Sequence, residues 1–255
     1  MSDPTVPLPP GKVVFADEGE SDVPAIWVSD GPATAELWDA LRTGDRWPLL
    51  LESMRGEPSR PWDDGELWPA GTSPDSHDAA ALMAGWWGWY TAGDDEEDML
   101  TPAERLAVTA PYGRDWPGLA PTRKPVTDPD RRAVACVAEL LRHQPALRLG
   151  LVAADRGADA LAIAGWDGAT NYTETVRLSA VLRTWEDRFG VRVIGAGSAD
   201  LYLSVAAPPT TVAEALPVAA EHFAFCPDNV WQGTGPLTRY AEGLVNTPLW
   251  RFWWD

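Results

Sequence analysis

Lysine is almost missing from this chain of 255 residues. Lys12 and Lys124 are the only two, and with arginine they make 20 basic residues against 38 acidic ones, a formal net charge of -18. A broad nucleic-acid surface needs the opposite sign, because neutralising phosphates with Lys and Arg supplies most non-specific affinity. Nucleic acid is therefore excluded as the expected partner. Histidine (3) and cysteine (2) are too few for a rich metal or redox site. Cys136 and Cys226 lie far apart with no CxxC spacing, which excludes a disulfide scaffold at this length. No run approaches the roughly 18 apolar residues of a membrane span. Met1-Ser2-Asp3-Pro4 also lacks the basic and apolar regions of a secretory leader. The expectation is a cytoplasmic protein that does not engage a membrane.

The common catalytic motifs are missing too: there is no Walker sequence, GxSxG, HExxH or EF-hand loop. Gly195-Ala196-Gly197-Ser198 has the glycines of a phosphate loop, but a strand follows it where a helix N-terminus is needed. No cofactor and no metal site is implied. The acidic run Asp94 to Asp98 reads as a solvated loop rather than a divalent-metal site.

What is abundant is tryptophan, 15 residues against five Phe and five Tyr. Each indole carries an N–H that wants a partner, so some of them are expected at a groove or interface. The densest cluster is Gly85-Trp86-Trp87-Gly88-Trp89-Tyr90. On a helix, Trp86, Trp89 and Tyr90 share a face with Leu82 upstream, and Trp87 points elsewhere as the candidate contact residue.

Periodicity outlines the fold. Val13 to Phe15, Ala25 to Ser29 and the wholly apolar Trp47 to Leu51 read as strands, with a helix around Leu37, Trp38 and Leu41 that Gly44 closes. Asp75 to Tyr90 reads as a helix, and Thr101-Pro102-Ala103-Glu104 opens another. The Pro- and Gly-rich stretch from Tyr112 to Thr127 suggests two regions, 1–125 and 126–255.

In the second region helices are predicted from Asp128 to Pro145, Thr173 to Phe189, Thr211 to Cys226 and Leu237 to Val245. Strands are predicted at 147–151, 161–165, 191–194 and 201–205. At the terminus, alternation places Trp250, Phe252 and Trp254 on one face of a strand docked in the sheet. Hairpins mixed with crossovers predict an α+β fold, with helices packed on a mixed sheet.

His222 and Cys226 lie four apart on one helix face, with Asp228 just beyond. A thiol, an imidazole and a carboxylate are the materials of a Cys-His nucleophile. Against this, Cys226 sits at a helix C-terminus, where the dipole raises a thiol's pKa.

The run Phe223-Ala224-Phe225-Cys226-Pro227-Asp228, then Gln232-Gly233-Thr234-Gly235, and the end Trp250-Arg251-Phe252-Trp253-Trp254-Asp255 resemble the bacterial domain-of-unknown-function family numbered 4253. Trp185 to Gly190, Pro208 to Thr211 and Gly165-Trp166 extend that resemblance over residues 147–255, in the manner of longer actinobacterial members. One departure is Asp167 to Thr173, where the family tends to carry a Gly-Trp-Asn-x-Cys-Pro-like stretch. The resemblance implies architecture but no activity. Its motif positions supply the candidate contact residues Trp166, Asp228, Gln232 and Asp255, to which Trp231 and, from the aromatic cluster, Trp87 are added.

Three functions follow as expectations. The first is a non-enzymatic factor of the immunity or accessory type, binding a protein partner that the acidic charge suits best if it is basic. The second is an enzyme or small-ligand binder with a pocket around His222, Cys226, Asp228 and Gln232. Carbohydrate binding through exposed indoles is the third.

Overall fold

The computed structural model describes residues 6–16, 23–42, 45–92 and 101–255. Among them one mixed sheet is built from β1 (Gly11–Val14), β2 (Ile26–Pro32), β3 (Trp47–Leu51), β4 (Arg148–Val152), β5 (Val191–Ala196), β6 (Asp200–Val205) and β7 (Leu249–Trp253). The spatial order is β1-β2-β4-β3-β5-β6-β7. Every neighbouring pair is antiparallel except β3 and β5, which run parallel.

Helices cover both faces. On one side α1 (Ala35–Leu41) and α4 (Pro129–His143) bury Trp38, Leu41, Val137 and Leu140 against Leu149, Leu151, Ile194 and Tyr202. On the other lie α5 (Gly157–Ala164), α6 (Thr175–Phe189) and α7 (Val212–Phe225). Against α7 pack α2 (Ala79–Ala92) and α8 (Leu237–Leu244), and α3 (Pro102–Val108) packs on α2. The class is α+β, as the sequence predicts. No helix of the described residues is long and apolar enough to cross a membrane.

Local chemistry places the helices. Thr34 caps α1 by accepting from Leu37 N–H at 3.1 Å, and capping boxes at Thr101/Glu104 and Thr211/Glu214 start α3 and α7. Gly190, at φ +61°, ends α6 in the left-handed conformation.

Two expectations are corrected. The stretch 161–165, predicted as a strand, belongs to α5. It is too short an apolar run for periodicity to separate strand from buried helix, and α5 is covered on almost every side. The helix predicted from Asp75 is a 3₁₀ turn, Pro74–Ser76, followed by α2, whose first N–H groups at Ala80 and Ala81 are held by the Asp78 carboxylate. Between β4 and β5 of the 126–255 region lies β3 of the 1–125 region, whose five residues are all buried. Gly44, the acidic run 94–98 and residues 1–5 of the Pro-rich start lie outside the described residues.

Candidate functional site

The motif that follows α7 clasps the end of the chain. Along its whole length, 249–253, β7 pairs with β6, and Trp250, Phe252 and Trp254 are buried. Residues 251 and 253 turn their backbone groups away from β6, towards the turn after α7. There the Asn229 carboxamide donates to Arg251 O at 2.8 Å and accepts from Trp253 N–H at 3.3 Å. The Cys226 thiol donates to Trp253 O at 3.0 Å. A side chain thus does what another strand would do, so β7 is not left as an open edge. One step further along, Asp228 accepts from Asp255 N–H at 3.1 Å, from Tyr172 OH at 2.6 Å and from the Gln232 amide at 3.1 Å. A π-helical turn, Asn229–Thr234, brings Gln232 back to Asp228.

This clasp decides what the sequence's catalytic candidates can do. Cys226 is fully buried, and burial pushes its thiol well above the ordinary value. His222 is also fully buried, and burial drives its imidazole down to about 3. Its Nδ1 pairs with Tyr240 OH at 3.0 Å rather than with the thiol, and its ring packs against Trp250 and Phe252. A nucleophile needs thiolate character and a base within hydrogen-bond reach. The structure supplies neither to Cys226, so the expected Cys226–His222 pair is not formed. Of the pocket proposed around His222, Cys226, Asp228 and Gln232, only Gln232 is exposed.

The contact candidates divide. Gln232 and Asp255 are exposed, and Trp231 is half-buried between Tyr90 at 5.5 Å and Phe223 at 5.1 Å, with the Arg105 guanidinium 5.0 Å from its ring. Asp228 is buried in the clasp. Trp166 is buried, donates to Gly197 O at 2.7 Å and meets Trp254 edge-on at 5.6 Å. It ties the β5–β6 turn to the chain end. Trp87 is likewise buried, against Tyr112, Trp116 and Phe223, and donates to Arg114 O.

The inward face of α2 is therefore Ala79, Met83, Trp87 and Thr91, and the exposed indole is Trp89, at 77%. With no charged residue in α2, the pattern could not say which side faces in. The tryptophan excess is largely core: the indoles of Trp47, Trp62, Trp87 and Trp166 reach backbone carbonyls inside the protein.

Sequence reading passed over Asn229, Tyr172 and Tyr240, which complete the clasp, and Glu221, which holds the layer beneath it. The Glu221 carboxylate is fully buried and accepts from Arg188 at 2.6 and 2.7 Å, Trp185 Nε1 at 2.6 Å and Ala120 N–H at 2.6 Å. The one available signal was an acidic residue inside an otherwise apolar stretch of helix, where a partner is obligatory.

Residues 148–255 match the model of the family described as Domain of unknown function (DUF4253). Neither the curated proteins nor the solved structures hold a match to the chain. The matched span runs from β4 to the last residue and contains Trp166, Tyr172, the Cys226 to Gln232 turn and the β7 strand it clasps. The similarity to this family therefore covers the second part of the chain, residues 148–255.

Proposed function

We propose that the chain is a non-enzymatic protein-binding factor of the immunity or accessory type, working in the bacterial cytoplasm, and that α2 supplies the contact. The observation that carries this is Trp89, 77% exposed on a helix with no charged residue from Ala79 to Ala92. Ala81, Gly85, Gly88 and Trp89 fall at helical spacing on its outward side, and all four are exposed. A helix apolar all round belongs in an interior, yet the described residues cover only one side of this one. Leu106, on the adjoining α3, adds a further 36% exposed apolar side chain. Exposed tryptophan is the residue type that most often anchors an interface. The net charge of -18 favours a basic partner and speeds encounter with it.

The test compares the purified chain with its Trp89→Glu variant as bait in a lysate of the source cells. Captured protein is then purified and titrated against both. The expected outcome is one partner bound by the wild type and lost by the variant, with thermal stability unchanged. Equal capture by both baits refutes the assignment to α2. Turnover of a small molecule by the pure chain, with no specific partner, refutes the protein-binding reading.

A further inference from the structure

A cleft of about 280 Å³ opens where residues 68–72 cross the loop between α5 and α6, and its walls include Trp68, Trp166, Asp167, Thr170, Glu174 and Thr175. The crossing segment is held in place by its backbone. Trp68 N–H donates to Gly165 O at 2.6 Å and Ala70 N–H to Ala162 O at 3.1 Å. Gly165 has φ +81°, and a Cβ there would lie 2.4 Å from Pro69 N and 2.5 Å from Trp68 N. Only glycine lets the two segments approach this closely. The indole so mounted remains 44% exposed.

Asp167 is the second element. It is half-buried, and burial, with the Glu66 carboxylate nearby, holds its carboxyl above the ordinary value. Among the described residues no basic side chain forms an ion pair with it. The cleft lining holds two carboxylates, Asp167 and Glu174, and no Lys, Arg or His. Glu174 pairs with Arg177 at 3.3 Å on the helix surface. The N-terminus of α6 brings roughly half a positive charge, which offsets only part of this. A carboxylate drawn partly out of water without a counter-charge is relieved by a cation. A cation seated there would also lie beside Trp68, which lines the same cleft.

We propose that the Trp68–Asp167 cleft receives the guanidinium or ammonium group of a basic side chain on the protein partner. This rests on the protein-binding reading and names the chemistry of the residue it takes. The cleft selects a side chain that is long, cationic and flat enough to lie along an indole, a description that arginine meets best.

The test is a chemical-shift titration of the full chain with N-acetyl-L-arginine N-methylamide, read at the Trp68 indole resonance, which Trp68→Phe assigns by its loss. The expected result is a saturable shift in the millimolar range, none with the citrulline counterpart, and about tenfold weaker binding in Asp167→Asn, a loss of about 1.4 kcal/mol. The Asp167→Asn variant keeps the side chain's shape, and its melting temperature reports separately on folding. No saturation, an equal response to citrulline, or unchanged affinity in Asp167→Asn overturns the proposal. Binding of agmatine without binding of the acetylated amide overturns the side-chain source, since a free amine then fits where a peptide does not. Failure here with Trp89-dependent capture intact removes the cleft and leaves the protein-binding reading standing.

Discussion

Replacing Glu221 by alanine strands a charge inside the protein. The carboxylate is fully buried, and the Arg188 side chain that faces it is 12% exposed, so little solvent screening moderates the pair. Two of its oxygens serve four donors: two guanidinium nitrogens, the Trp185 indole and the Ala120 backbone. Removing one member of a buried pair costs about 3–5 kcal/mol, because the survivor remains desolvated and unpaired. Against a total stability of about 5–15 kcal/mol, that is a large share, equivalent to a fall of roughly 6–20 °C in melting temperature at this chain length.

The double variant Glu221→Leu with Arg188→Met removes both charges and is expected to recover the part of the loss that comes from the stranded guanidinium. It still leaves the Trp185 and Ala120 N–H groups without an acceptor, at about 1–3 kcal/mol each. Urea denaturation of the wild type, both singles and the double closes a cycle that isolates the pair. Hydrogen exchange at Ala120 adds a local readout, since this amide and the Arg188 contact to Ala120 O at 2.8 Å tie the 112–127 loop to α6 and α7. A Glu221→Ala protein within 1 kcal/mol of wild type, with Ala120 still protected, refutes the reasoning.

His222 gives the fold a pH dependence. Its imidazole is held neutral in the native state down to about 3, whereas in the unfolded chain it takes a proton near 6.5. The unfolded state therefore binds more protons between these values, and stability falls as pH is lowered through that window, by about 1.4 kcal/mol per unit. In His222→Gln that component of the slope is expected to vanish between pH 6 and pH 4, and parallel wild-type and variant curves in chemical denaturation count against it. Asn229→Ala unclasps β7 and orphans Arg251 O and Trp253 N–H, at about 1–3 kcal/mol for each group left buried. Hydrogen exchange at Trp253 is expected to accelerate more than at Trp250, which bonds inward to β6, and equal acceleration at both sites would show that the clasp is not local.

Local pattern carried much of this architecture. The period-two alternation of Trp250, Phe252 and Trp254, the capping boxes at Thr101 and Thr211, the five-residue apolar run of β3 and the glycine stop of α6 are each encoded within a few residues of themselves. The net charge and the DUF4253 motif also belong to the sequence alone. Tertiary structure decided what these segments do to one another. Whether 161–165 is strand or helix, and whether Trp87 or Trp89 faces out, turned on neighbours from other elements, such as residues 68–70 for α5 and Tyr112, Trp116 and Phe223 for Trp87, because a uniformly apolar segment contains no signal about which side will be covered. Cys226, Asp228 and His222 carry the right atoms for chemistry. Their function was settled by burial and by the backbone groups of β7, which no spacing along the chain reveals. The same holds for the Trp68–Asp167 cleft, whose two walls meet only because Gly165 lets one segment cross the other.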